Sequence, residues 1–180
     1  LIARHHAVSR GQILFYDQPL ERISNAHYAR DVILLSQSPD RNLCSGLTIQ
    51  EHVKLYLNGK KNEELEQHGL PAYLDQYNKK LKYYINRSID SLSGGEKQCL
   101  VLALVFLCDP RLLLLDEHTA ALDPHARDEV MKMTNQHIRR KRIACVMTSH
   151  HLEHVHQYGD RVIVLKNGRI CASVANSDSV

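Results

Sequence analysis

The five cysteines of this 180-residue chain, Cys44, Cys99, Cys108, Cys145 and Cys171, include no C-x-x-C pair. That spacing excludes the common zinc and disulfide frameworks, so the thiols read as reduced groups of a cytosolic protein. Charge of one sign is also scarce. The formal net charge of +3 is too small to argue for nucleic acid. No uninterrupted apolar run approaches the roughly 20 residues that cross a bilayer. The first ten residues, Leu1 to Arg10, carry charges and histidines where a signal peptide would have an apolar centre. If a membrane is involved, the expectation is a chain lying beside it. What is present is ordinary: 43% hydrophobic and 24% charged residues, enough for one full core.

Leu1 to Ala7 reads as the tail of a helix. Gln12 to Tyr16 follows as a strand, with a turn at Asp17-Gln18-Pro19. Val32-Ile33-Leu34-Leu35 is a continuous apolar run, as expected of a strand covered on both faces. Thr48 and Glu51 have capping-box spacing, and Ile49, Val53, Tyr56 and Leu57 fall on one face of the helix they open. Residues 58–90, rich in Lys, Asn, Glu and Tyr, predict small amphipathic helices. Next come a helix from Gly94 to Leu107, a strand from Leu112 to Leu115 and a helix from Pro124 to the basic run Arg139-Arg140-Lys141-Arg142. The remainder predicts a strand Ile143 to Thr148, a short helix from about His151, a strand Val162 to Leu165, a turn at Asn167-Gly168 and a last strand near Ile170. Strands alternating with helices imply an α/β fold with a mainly parallel sheet.

Two motifs carry chemistry. In Leu92-Ser93-Gly94-Gly95-Glu96, Ser93 and Glu96 can form a plain capping box. A cap alone does not need two glycines, each costing roughly 1 kcal/mol against alanine in a helix. Without Cβ atoms a ligand can reach the backbone N–H groups at the positive end of the helix, which suits phosphate. In Leu112-Leu113-Leu114-Leu115-Asp116-Glu117, a buried strand ends in two acids. The plain alternative is a strand that simply stops at charge. In open α/β sheets, however, ligands lie at the carboxyl ends of strands.

Taken in order, the signature-like Leu92-Ser93-Gly94-Gly95-Glu96, the Walker B-like strand with Asp116-Glu117, Ala120-Ala121-Leu122-Asp123-Pro124 and Thr148-Ser149-His150, with Gln37 upstream, resemble the motifs of ATP-binding cassette (ABC) transporter ATPases. The resemblance covers almost the whole chain. It implies a P-loop NTPase (RecA-like) fold, with core residues 1–38 and 100–180 and an inserted helical subdomain at 39–99. It also implies two nucleotide-binding subunits paired head to tail around ATP and Mg²⁺. Asp116 and Gln37 would then serve Mg²⁺, Glu117 would act as general base, and His150 would contact the γ-phosphate. Ser93, Gly94, Gly95 and Glu96 would meet the partner's nucleotide, with Asp123 at the dimer interface. The implied partners are a membrane permease, received by residues 38–91, and a solute-binding protein if the system imports. Nucleic acid is not among them. The implied location is cytoplasmic, peripheral on the inner face of the cell membrane. The string Asp116-Glu117-His118-Thr119-Ala120-Ala121-Leu122-Asp123-Pro124 resembles a branch of bacterial amino-acid and small-solute importers.

The sequence departs from the family in several places. His118 stands where many relatives have proline, Ser149 where threonine is usual, and Glu96 where glutamine is. The phosphate cradle G-x-x-x-x-G-K-[ST] is missing: the one Gly-Lys, Gly59-Lys60, is followed by Lys61 and preceded at the required spacing by Lys54. The resemblance places that cradle at the start of the helix ending at Ala7, so the expectation is a chain that begins just past it. Two other readings stand beside transport: a soluble ABC ATPase acting on nucleic acid or ribosomes, and a non-catalytic fragment. His150 and His154 have the spacing of a metal-binding helix face, but no carboxylate or thiolate pattern accompanies them.

Overall fold

The computed structural model describes residues 2–120 and 122–176, and the chain divides into two compact units, with the boundary between Met147 and Thr148. The first unit is built on a three-stranded sheet ordered β3-β4-β5, where β3 is Val32–Leu35, β4 Leu112–Asp116 and β5 Ala144–Thr148. β3 and β4 run parallel, in register from Val32↔Leu112 to Leu35↔Leu115. Alternation along both strands sends side chains to two cores. Leu35, Leu113 and Leu115 join the larger one, while Val32 and Leu114 join a smaller one with Leu20 and Tyr28. A sheet covered on both faces explains why these strands are apolar throughout.

The central helix of the larger core is α4 (Gly94–Leu107), in which every residue from Gln98 to Leu107 is buried. A helix that is apolar all round is one surrounded by protein. Around it pack α2 (Ile49–Leu57), with Ile49 and Val53 inward, and α3 (Glu63–Asp75), with Tyr73 and Leu74 inward. Thr48 and Glu51 close the expected capping box on α2. α3 is interrupted at Gly69, whose φ of 74° no helix can hold, so residues 58–90 do fold as short helical pieces. α5 (Pro124–Lys141) follows β4, and Arg142 caps it in the left-handed conformation.

The amino-terminal segment differs from expectation. Leu1 lies outside the described residues, and residues 2–6 form turns and bends rather than the end of a helix. Arg4, at φ 60°, breaks any helical path. Its guanidinium instead donates to the carbonyls of Leu20 and Ile23 and to Asn25 Oδ1 and lies over the Tyr28 ring. Those partners belong to or flank α1 (Asn25–Asp31), a helix the sequence pattern did not suggest because only Tyr28 on it is buried. The strand expected at Gln12 to Tyr16 shrinks to β1 (Leu14–Phe15), which pairs with β2 (Gln18–Pro19). The turn is thus Tyr16-Asp17, both at positive φ, and Pro19 sits in an edge strand.

In the second unit α6 (Leu152–Tyr158) precedes an antiparallel hairpin of β6 (Arg161–Lys166) and β7 (Arg169–Ala175). Asn167 and Gly168 turn it with φ of 50° and 71°, the double positive that a tight two-residue hairpin requires. No helix among the described residues is long and apolar enough to cross a membrane.

Candidate functional site

Because β3 and β4 are parallel and in register, the residues just past Leu35 and Leu115 leave the sheet at the same end. Gln37 therefore departs beside Asp116 and Glu117. Gln37 and Asp116 are exposed and Glu117 is half-buried. Glu117 takes a φ of 47°, a left-handed conformation that few non-glycine residues adopt. Its carbonyl accepts the Ala120 N–H at 2.9 Å, and the Thr119 carbonyl accepts that of Leu122 at 3.2 Å. Two successive turns thus bring the chain back into α5. Asp123 caps that helix, its Oδ1 accepting the Ala126 N–H at 3.1 Å, with Pro124 in the first turn. His118 and Thr119 are buried within the loop, at 2% and 6% exposure. A histidine in the place of the family's usual proline is thus part of the packing. Ala121, one member of the string read in the sequence, lies outside the described residues.

At the first turn of α4 the capping box is formed. Ser93 Oγ accepts the Glu96 N–H at 3.3 Å, and Glu96 Oε2 accepts the Ser93 N–H at 2.9 Å. The Ser93 N–H holds the Glu96 carboxyl below the usual carboxylate range against the opposing effect of burial, and Lys80 adds an ion pair at 3.5 Å. Neither Gly94 nor Gly95 has a positive φ. A Cβ on Gly94 would meet open space, and one on Gly95 would make ordinary contact with Leu122 Cδ2 at 3.6 Å. Among the described residues nothing demands either glycine.

Two contacts the sequence did not reveal tie this turn to its neighbours. The Gly95–Leu122 approach joins it to the loop after β4. Lys97 Nζ donates to Asp40 Oδ1 at 2.7 Å, joining it to the 3₁₀ turn Pro39–Asn42 that follows Gln37. Arg127 Nη2 holds the Leu122 carbonyl at 3.1 Å. Just ahead of the turn, Asp90 accepts the Gly46 N–H and the Ser45 and Ser88 hydroxyls, which keep its carboxyl below the ordinary value. Lys97 and Asp40 are 57 positions apart, and no local pattern announces such a pair.

The first unit thus gathers Gln37, Ser93, Gly94, Gly95, Glu96, Asp116, Glu117 and Asp123 around neighbouring loops. His150 belongs to the second unit, exposed at the bend ahead of α6, where Ser149 Oγ accepts the His151 N–H at 3.0 Å.

A sequence model described as ABC transporter matches residues 1–120. The tyrosine transport ATP-binding protein of Clostridioides difficile is 34% identical over 176 residues, which cover 94% of this chain and 70% of that protein. The chain belongs to the ABC transporter family. A solved structure described as the ATP-binding subunit of an ABC transporter superposes with a TM-score of 0.76 at 26% identity, over 93% of this chain and 68% of that one. A putative ABC transporter ATP-binding protein of Bacillus cereus is 33% identical over 87% of this chain, which spans 28% of that protein's length. The fold is accordingly that of the ABC ATPase domain, a P-loop NTPase with a parallel sheet. These relatives are ATP-binding chains of transporters, and ATP-driven transport is the activity class that membership gives this ABC chain.

Proposed function

We propose that this chain hydrolyses ATP between two head-to-tail copies of the nucleotide-binding subunit and passes the resulting movement to a separate membrane permease. The observation that carries the reading is the pair Gly94-Gly95. Both are helical glycines with room for a side chain, at a cost in helix stability of roughly 1 kcal/mol each. A fold has no use for that cost. A phosphate approaching the N–H groups of the first turn does, since a Cβ would stand in its path.

In this reading Ser93, Gly94 and Gly95 bind the γ-phosphate of the nucleotide held by the second copy, while Glu96 keeps the Ser93 backbone in place. Glu117 accepts a proton from the attacking water, His150 steadies the γ-phosphate and Asp123 lies where the two copies meet. Residues 39–99 act as the arm that receives the permease, with residues 1–38 and 100–180 as the ATPase core. Among the described residues no three His, Cys, Asp or Glu side chains gather as a metal-binding group. Mg²⁺ needs no such group, since it takes one or two carboxylates and completes its shell with water and substrate phosphates. Asp116, exposed at the tip of β4, and Gln37 beside it would hold the ion. Bound there, it would neutralise charge on the phosphates. Resemblance to the tyrosine transport protein favours a small solute such as an amino acid, imported with the help of a solute-binding protein at the inner face of the cell membrane.

The test is ATP hydrolysis by the full-length protein and its variants. Glu117→Gln should lower the rate by about 10² to 10⁴, the usual contribution of a general base. Gly94→Ala and Gly95→Ala should fold as well as the parent yet lose most activity. Parental rates in all three would sink the proposal.

A further inference from the structure

The first unit has a concave surface at the opposite end of the sheet from the motif residues. A cavity of about 630 Å³ is lined by Arg30, Asp31, Lys60, Lys61, Asp109 and Arg111 among others. Asp31 and Arg111 immediately precede β3 and β4, and the Arg111 N–H donates to the Asp31 carbonyl at 2.8 Å. The five steps from Arg111 to Asp116 put about 17 Å of extended strand between this cavity and the acidic tip of β4.

Its charge is not balanced within the wall. Four cations face two carboxylates, and each carboxylate already has a partner. Arg30 Nε pairs with Asp31 at 3.2 Å, and Lys141, from outside the cavity wall, pairs with Asp109. Lys61 lies 3.9 Å from Glu66, with its side chain 90% exposed, a geometry that neutralises little. Among the described residues the side chains of Lys60 and Arg111 make no ion pair. The carboxyl end of α4 also reaches this wall, and its bare carbonyls would repel an anion. Two of them are occupied: Asn62 Nδ2 donates to the Leu107 carbonyl at 3.1 Å, and Lys141 Nζ to that of Phe106 at 3.4 Å. What remains is a concave surface with excess positive charge, large enough for a small-molecule ligand.

We propose that this cavity binds a phosphate-bearing anion, at a site separate from the one where the motifs gather. Arg111 supplies a planar fork for two phosphate oxygens and Lys60 a mobile point charge, the complementary pair that phosphate recognition uses. The phosphate can belong to a free small molecule or to a lipid headgroup.

The experiment is titration of the full chain with inorganic pyrophosphate, followed by NMR at the backbone amides of Lys60, Lys61, Asp109 and Arg111. A parallel arm adds vesicles of phosphatidylcholine with and without phosphatidic acid and measures co-sedimentation. Pyrophosphate should shift those amides, with an affinity that falls as salt is raised. The double variant Lys60→Glu/Arg111→Glu should bind at least tenfold more weakly, while Lys60→Arg/Arg111→Lys retains binding and shows that the site tolerates substitution. Binding of phosphatidic acid vesicles without a response to pyrophosphate would assign the phosphate to lipid. No response in either arm, or shifts that survive the charge reversal, would overturn the proposal. ATP hydrolysis should persist in the charge-reversed variant, so failure here and failure of the ATPase reading are told apart.

Discussion

The residue proposed as general base is also one of eight non-glycine residues at positive φ among those described, and the cost of that conformation can be measured separately from the chemistry. Glu117 holds a φ of 47°, which costs an L-residue roughly 1 to 2 kcal/mol. Glycine escapes that cost but loses more freedom on folding, a penalty of roughly 0.5 to 1 kcal/mol. The difference predicts that Glu117→Gly is more stable than Glu117→Ala by about 1 kcal/mol. Neither variant has the carboxylate, so the comparison isolates the backbone. For a chain of this length the gap corresponds to about 2 to 4 °C in Tm, and urea titration at 25 °C reads it directly. Both variants should be equally inactive in ATP hydrolysis. If Glu117→Ala proved as stable as Glu117→Gly, the idea that fold stability is given up to aim this side chain would be refuted.

Ser93→Ala removes one half of the capping box and should lower stability by about 1 kcal/mol in urea titration while also depressing ATP hydrolysis. Breaking the Lys97–Asp40 bridge should also depress hydrolysis, but with little cost in stability. A pair with one solvated partner contributes only about 1 kcal/mol or less, so Lys97→Gln should change the unfolding midpoint little and slow hydrolysis by loosening the Gln37 segment, with partial rescue in Lys97→Asp/Asp40→Lys. His137 is buried, and burial lowers its pKa. Its neutral ring donates from Nδ1 to the Met133 carbonyl and accepts the Tyr77 hydroxyl at Nε2, at 3.1 and 2.9 Å. The unfolded chain therefore takes up this proton first, so stability present above about pH 6.5 should decline as pH falls below it. His137→Phe should lose that part of the slope between pH 7 and pH 5, and an unchanged slope would exclude the residue as its source.

Local physics made much of the fold legible. The capping boxes at Thr48 and Ser93 need only three residues of context, and both are formed. α4 was readable to its last residue because a capping box opens it, the run from Cys99 to Cys108 is apolar throughout and Asp109-Pro110 follows. Most of the amino-terminal thirty residues were not. Arg4 finds its partners 16 to 21 positions away, and α1 buries a single tyrosine, so neither leaves a periodic trace. Register shares this dependence on distance. That Gln37 leaves the sheet beside Glu117 follows from the pairing of Leu35 with Leu115, 80 positions apart, which spacing alone does not give.

The motif residues were visible for a different reason. Several break a local preference, two glycines inside a helix and two acids at the end of a buried strand, and the structure adds a glutamate at positive φ. A sequence under selection for stability alone would place alanine, a neutral turn residue and glycine at those positions. Departures of that kind, clustered at one end of one sheet, are what a ligand-binding surface leaves in a sequence. The cationic cavity left no such trace, because lysines and arginines at its rim break no rule of helix or strand. They become legible only once the fold brings residues 30, 60 and 111 to a common wall and supplies two carboxylates too few to balance them.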